Sequence, residues 1–317
     1  MMEYVLLFNG RRRVYIVNKI KEYLKSLDLN IGIYLTDTDN LDPVGYYADK
    51  FSVLPPIEDE NFVDTFIKFV KKENIKYIFL WNNKDFYIFH KMRKKLKDLN
   101  IKILLPNKEQ IDACFNKVNT NEFCKTYNIP TPKTYYNLKD FYNSDCGYPV
   151  IVKPYNGAGN LNIFKADNKE ELEIFYKKVP NAIIQEFIEG EQYTIDAFFD
   201  EITRVVVPRK RVKVRDAEVV EASICLDKKL IEIGEKVADS LKVLGPINIQ
   251  VILKNNIPYV IDMHCRFGGG TDLSIEAGVP IDKWIVNLLI GKKNDYKYKI
   301  NDKLFMTRYL KSDFIEV

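Results

Sequence analysis

The stretch from Pro246 to Gly270, PINIQVILKNNIPYVIDMHCRFGGG, constrains what this chain can fold into more than any other. Ile247 to Leu253 is rich in β-branched residues, Lys254-Asn255-Asn256 is a turn signal, and Ile257 to Met263 is a return strand, so a hairpin is predicted. Side chains alternate between the two faces of a strand, which puts Asp262 and His264 on one face. With the turn at Asn256, Gln250 lies opposite Asp262. Three polar or ionisable groups then converge on strands that are otherwise apolar. A carboxylate buried without a partner is costly, so a cation, a base or a ligand is expected beside Asp262. Arg266 follows at once, and Gly268-Gly269-Gly270 lets backbone approach closely. A half-buried hairpin with a polar outer face is the plainer alternative, and the stretch alone does not choose between the two.

The N-terminal third has a different rhythm. Tyr4 to Phe8, Ile31 to Leu35, Tyr77 to Trp81 and Ile101 to Leu105 read as strands, while Val14 to Leu27, Phe62 to Val70 and Phe86 to Leu96 show helical spacing. This alternation predicts an α/β domain over residues 1–106, Rossmann-like, with a parallel sheet and right-handed crossovers. Asn9-Gly10-Arg11-Arg12-Arg13 falls where the first strand meets its helix, the place where such sheets bind anions. It reads either as a phosphate or carboxylate site or as a solvated helix start. The further glycines of a dinucleotide fingerprint are missing, which argues against a dehydrogenase.

Composition excludes other classes. At 317 residues, 46% apolar and 29% charged, the chain is an ordinary globular one with room for two or three domains. A net charge of +4 with no dense basic run argues against a nucleic-acid partner. Cys114, Cys124, Cys146, Cys225 and Cys265 are scattered, with neither a CxxC pair nor a disulfide framework, which suits a reducing compartment. No apolar run approaches about 18 residues and no signal-peptide core is present, so a cytoplasmic protein without a membrane partner is expected.

In the middle of the chain, Pro106 to Thr131 reads as a helical connector. Asn107 caps a helix that includes Ile111, Thr120 to Tyr127 continues with helical spacing, and Lys117 lies in the break between the pieces. Tyr148 to Pro154 is a strand that ends in Lys153, and a small loop, Tyr155 to Asn160, leads to a second strand, Leu161 to Lys165. Loops of this kind fold over phosphates or merely close a hairpin. After a helix from Lys169 to Lys178, the strand Asn181 to Phe187 brings Gln185 and Glu186 beside Phe187 and Ile188. Polar edges flanked by apolar side chains suit an adenine ring. Val205 to Val214 carries Arg209, Arg211, Lys213 and Arg215 at alternate positions, so the four cations share a strand face and either meet an anion or are solvated. Ile231 to Val243, Asp272 to Gly278 and Ile281 to Leu289 read as helices, and residues 292–317 carry no functional signal.

Taken in order, these segments resemble the ATP-grasp superfamily, in particular single-chain members similar to the carbamoyl-phosphate synthetase large subunit. The likeness rests on Lys117, VKPYNGAGN, IIQEFIEGEQYTID, VPRKRVKVR, the hairpin with its terminal arginine, and SIEAGVP. It implies a two-lobed ATP-grasp fold behind the N-terminal domain: a small lobe with connector over residues 107–183, and a large lobe, α+β in character, over 184–317. It also implies roles. Lys117 and Lys153 grip nucleotide phosphates under Gly157, Ala158 and Gly159; Gln185, Glu186, Phe187 and Ile188 receive the adenine; Gln192 contacts the ribose. Gln250, Asp262 and His264 hold Mg2+ or Mn2+, Arg266 stabilises the transferring phosphoryl group, and Arg209 and Arg211 hold the acid group of the substrate or a phosphate.

The chain departs from the family pattern in three places. Asp262 and His264 stand where the family has glutamate and asparagine, Gln192 stands where it often has glutamate, and Asp216-Ala217 replace a glycine pair. Imidazole suits manganese better than magnesium, so His264 takes the softer ion, with a pH dependence near neutrality, or turns away and leaves one magnesium on Asp262, or merely fills the strand end and hydrogen-bonds locally. The implied function is an ATP-dependent carboxylate–amine ligase that forms an acyl phosphate, with small-molecule acid and amine substrates and a homodimer as a permitted assembly. Two alternatives stand beside it: a carbamoyl-phosphate-synthetase-like enzyme acting on a very small carboxylate, and a nucleotide-binding protein with little turnover.

Overall fold

The structure, a computed structural model, describes residues 2–314 apart from 11–12, 41, 157–161, 216–217 and 295–296. The N-terminal alternation builds β1 (Glu3–Phe8), α1 (Val14–Ser26), β2 (Ile31–Asp37), β3 (Lys50–Val53), α2 (Phe62–Lys72), β4 (Ile75–Leu80), α3 (Asn83–Asp98) and β5 (Lys102–Leu104). The strands lie in the order β3-β2-β1-β4-β5, and every pairing is parallel. Four strands are legible in the sequence; β3 is the fifth. It is a four-residue edge strand with no buried position, so it lacks the apolar run that marks the others. Asparagines at left-handed φ stop three helices: Asn74 after α2, Asn100 after α3 and Asn128 at the end of the connector.

The connector forms α4 (Lys108–Ala113), with the predicted Asn107 cap completed into a capping box by Gln110, and α5 (Lys117–Thr126), capped by Asn116. A small antiparallel sheet follows: β6 (Thr134–Tyr135), α6 (Leu138–Tyr142), β7 (Val150–Pro154), β8 (Phe164–Ala166), α7 (Lys169–Lys178) and β9 (Ala182–Glu186), in the strand order β6-β9-β7-β8. The expected boundary after residue 183 therefore falls inside β9. This strand pairs with β7 along its whole length, so the small lobe extends to Glu186.

The large lobe is a six-stranded sheet in the order β14-β13-β10-β11-β12-β15. It is built from β10 (Glu191–Phe199), β11 (Arg204–Arg215), β12 (Glu218–Ile224), α8 (Lys228–Leu241), β13 (Gly245–Lys254), β14 (Ile257–His264), α9 (Thr271–Glu276), α10 (Ile281–Ile290) and β15 (Phe305–Thr307). The predicted hairpin is β13–β14, and both turn residues, Asn255 and Asn256, have positive φ, as a tight turn matched to the strand twist requires.

The hydrophobic core does not follow the three sheets. One cluster joins Phe8 of the parallel sheet and Phe62, Phe66 and Phe89 of the helices on it to Ile195, Ile247 and Val237 of the large lobe. A second joins Val17 and Trp81 to Phe198, Phe267 and Trp284. The small lobe has a cluster of its own around Val150, Val152, Leu172 and Ile184. The N-terminal sheet and the large lobe are thus one packed body, and the small lobe is attached to it. Among the described residues no helix is long and apolar enough to cross a membrane.

Candidate active site

One face of the large sheet is polar at its centre, and the register explains why. Gln250 pairs with Asp262 as expected, and Thr194 pairs with both Gln250 and Arg209, so Asp262, Gln250, Thr194 and Arg209 form a row across four strands. Two residues along, His264, Asn248 and Asp196 form a second row on the same face. Asp196 was not singled out from the sequence, yet it anchors this face. Its carboxylate accepts from Arg209 Nε at 2.8 Å and Nη2 at 3.1 Å, from Asn248 at 2.7 Å, from Thr271 at 3.0 Å and from Ser274 at 2.8 Å. The only sequence signal was a carboxylate inside the apolar strand TIDAFF.

This network corrects the reading of Arg209. Two of its three nitrogens are committed to Asp196, so it offers no open fork to a substrate. Its remaining Nη1 is buried without a partner and lies 2.4 Å from where a Cβ on Gly270 would stand. A side chain at Gly268 would likewise meet Asn248, at 2.3 Å. The glycines are there because the arginine and asparagine heads occupy the space. Arg211, next along the face, has a buried Nε without a partner. It lines a cavity of about 450 Å³ together with Gly190, Glu191 and Gln192.

Across the cleft, β7 delivers Lys153, only 6% exposed. Its ammonium donates to Gln185 Oε1 at 2.6 Å, and Gln185 donates in turn to Thr134 at 2.9 Å. Gln185 is therefore spent on holding Lys153 rather than on offering an edge to a purine, a second correction. Burial lowers the Lys153 pKa to about 8, with help from the neighbouring Lys117 charge and against the pull of Asp262. Lys117 opens α5, where its amide is tied to Tyr155 at 2.9 Å, and its ammonium stands 3.8 Å from Asp262. Burial works against the Asp262 charge, yet His264, Lys117 and Lys153 together hold its carboxyl below the usual range.

At the hinge, Glu186 is bound to Lys133 through both its amide and its carboxylate, at 2.8 and 3.2 Å. Phe187 lies under the Lys165 ammonium at 5.1 Å, and Ile188 is buried. Gly157, Ala158 and Gly159 lie outside the described residues, as does the Asp216-Ala217 pair.

At His264 the structure favours the local alternative over the metal-ligand one. The Asn83 amide nitrogen donates to Cys114 O at 2.7 Å and faces His264 Nδ1 at 2.8 Å. The bond to the carbonyl fixes which end of the amide is nitrogen, so Nδ1 accepts and the proton sits on Nε2, 3.6 Å from Asp262. With Nδ1 taken by Asn83 and the proton on Nε2, this tautomer of His264 offers no lone pair to a cation. Burial lowers its pKa to about 4, which removes the expected titration near neutrality. Among the described residues no three His, Cys, Asp or Glu side chains group as a metal site. The donor set that remains, the Asp262 carboxylate with the Gln250 amide, suits a hard cation that takes most of its ligands from phosphate and water.

Residues 114–270 match the family model for an ATP-grasp domain, and residues 5–104 match that for a PylC-like N-terminal domain. Among curated proteins the chain is similar to carbamoyl phosphate synthase large chains. It is 26% identical over 223 residues to that of Caldanaerobacter subterraneus subsp. tengcongensis, covering 64% of this chain and 21% of that protein. To that of Clostridium botulinum (strain Alaska E43 / Type E3) it is 25% identical over 301 residues, covering 88% and 27%. The chain thus spans about a fifth to a quarter of the length of these relatives. Among solved structures it is similar to the biotin carboxylase domain of Hydrogenobacter thermophilus 2-oxoglutarate carboxylase, with a TM-score of 0.77 and 16% identity over 95% of this chain and 73% of that one. The L-amino acid ligase from Bacillus licheniformis gives 0.72 and 18%, over 91% and 74%. At these identities the likeness is one of fold.

Proposed function

Because the chain belongs to the ATP-grasp superfamily, with a PylC-like N-terminal domain ahead of the matched region, we propose that it is an ATP-dependent carboxylate–amine ligase working through an acyl phosphate. The observation that carries this reading is the convergence of Lys117, Lys153 and Asp262 on one cleft, with the pull of Asp262 felt at both Lys153 and Arg266.

In this reading Lys153, locked by Gln185 and Thr134, and Lys117, fixed at the start of α5, hold the phosphates of ATP. Glu186, Phe187 and Ile188 bound the adenine, and Gln192 and Arg211 lie toward the ribose and phosphates. A divalent cation on Asp262 and Gln250 would spread the phosphate charge. Arg266 Nη1 donates to Phe267 O at 2.6 Å, which anchors the guanidinium. Burial lowers the Arg266 pKa to about 10, so it stays charged at neutral pH and can meet the phosphoryl group as it transfers. The acid's oxygen attacks the γ-phosphorus and ADP leaves. An amine then attacks the acyl carbon, phosphate departs, and the amine proton is lost to solvent or phosphate. Small-molecule acid and amine substrates and a dimeric assembly belong to this reading; the biotin carboxylase neighbour is described as a domain dimer.

The test is ADP release across a panel of acids and amines, with hydroxylamine added to trap the acyl phosphate as a hydroxamate. Acid-dependent ADP and hydroxamate are expected; ATP binding with neither would leave the second reading, a nucleotide-binding protein with little turnover. That reading draws on one observation: among the described residues no three His, Cys, Asp or Glu side chains group as a metal site.

A further inference from the structure

The seam between the connector and the hairpin is held at both ends. β14 is the edge strand of the large sheet, and α5 packs against it. At one end Val260 N donates to Pro130 O at 2.8 Å, and Thr131 Oγ1 donates to Val260 O at 2.9 Å. At the other end the Sγ atoms of Cys114 and Cys265 stand 3.5 Å apart, although the two residues are separated by 151 positions in the chain. Both are free thiols, 2% and 8% exposed, and both belong to the same core cluster.

The backbone fixes this pair. Cys114 caps α4, and the carbonyls there are each held by a side chain: Asp112 O by Asn119 at 2.7 Å, Ala113 O by Thr120 at 3.0 Å and Cys114 O by Asn83 at 2.7 Å. Cys265 lies in the turn after β14, where Arg266 N donates to His264 O at 2.8 Å. A disulfide holds its sulfurs about 2 Å apart, so forming one from a 3.5 Å contact draws the end of α4 and the end of β14 together. Those two ends carry the site, because Lys117 lies one turn past Cys114 and Arg266 follows Cys265 at once.

We propose that Cys114 and Cys265 are a modification site, a dithiol that a peroxide converts to a disulfide, and that this bond staples the connector to the end of β14. A small uncharged oxidant suits a pair so buried. Hydrogen peroxide oxidises Cys265, the less buried of the two, to a sulfenic acid and releases one water. The Cys114 sulfur then displaces the hydroxyl, which leaves with the Cys114 proton as a second water, and one S–S bond has replaced two S–H bonds. The modification stands on the geometry alone. Its effect on turnover rests on the ligase reading, in which displacing Lys117 or Arg266 by about 1 Å costs on the order of 10²-fold in rate.

The test separates the two. The reduced chain is treated with hydrogen peroxide, remaining thiols are alkylated, and the digest is read by mass spectrometry. A peptide joining Cys114 to Cys265 is expected, and dithiothreitol should remove it. Because the bond closes a long loop, the oxidised protein should melt about 5 °C above the reduced one. Cys265→Ser should show neither the linked peptide nor the rise, and Cys114→Ala is the second variant if Cys265→Ser folds poorly. ADP release should slow by at least about tenfold on oxidation and recover with dithiothreitol. The proposal is overturned if Cys114 and Cys265 alkylate as free thiols after peroxide, or if either pairs instead with the half-buried Cys146 or Cys225. It is also overturned if linked and reduced protein melt alike, or if the rise survives in both variants. Unchanged ADP release from the linked protein would overturn its coupling to the site. A linked pair in a chain whose reduced form releases no ADP with any acid would sink the ligase reading and leave the modification site standing.

Discussion

At the scale of single residues, the site runs on side chains that hold other side chains. Lys153 is presented by Gln185, so Lys153→Ala should weaken ATP binding by about 1.5–3 kcal/mol, measured by calorimetry. Unchanged affinity would remove Lys153 from the nucleotide. Asp196 has the opposite profile, since it touches only protein. Asp196→Ala strands a guanidinium that is 1% exposed and should cost about 3–5 kcal/mol in urea unfolding. A loss below 1 kcal/mol would mean that Arg209 finds another anion. His264, neutral with a pKa of about 4, adds no titration near neutrality. The rate should therefore show no step between pH 6 and 8 that His264→Asn abolishes; such a step would restore the histidine as a working group.

At the scale of elements, a buried carboxylate at a helix start sets a pH dependence. Asp85, in the first turn of α3, is 3% exposed, and burial raises its carboxyl from 3.8 to about 7, against weak relief from Asn82. The unfolded chain releases that proton near pH 4, whereas the folded one keeps it to about pH 7. Between those values the folded state binds more protons, so stability falls as pH rises from about 4 to about 7 and then levels off. Asp85→Asn should flatten this slope and raise the melting temperature at pH 8. Parallel melting profiles for parent and variant across that range would show that the carboxylate ionises without cost. The same scale explains why the hairpin is so legible: its turn is two asparagines that tolerate positive φ, and its register follows from that turn.

For the whole molecule, the distribution of cores sets the dynamics. Two clusters bind the parallel sheet to the large lobe, while the small lobe, which carries Lys153, has only its own. Amide exchange should be faster in β7, β8 and β9 than in β1 and β13, and β1 and β13 should open together. ATP at one hundred times its dissociation constant adds about 2.7 kcal/mol and should slow the small lobe most. Equal protection of all three sheets would contradict the division.

The sequence alone determined the local elements and their order, because these depend on short-range chemistry: apolar periodicity for α2 and α8, Asn107 for the start of α4, and the Asn255-Asn256 turn for the pairing of Gln250 with Asp262. It left β3 out, since an exposed four-residue edge has no pattern, and it cut β9, since a strand does not say which sheet it joins. Arg209, Gln185 and His264 were each read by residue type as facing a ligand, but tertiary contacts gave them internal partners: Asp196 from β10, Lys153 from β7 and Asn83 from the other domain. Those partners lie 13, 32 and 181 residues away along the chain. What a buried polar group does is decided by the one neighbour that satisfies it, and only the folded chain chooses that neighbour.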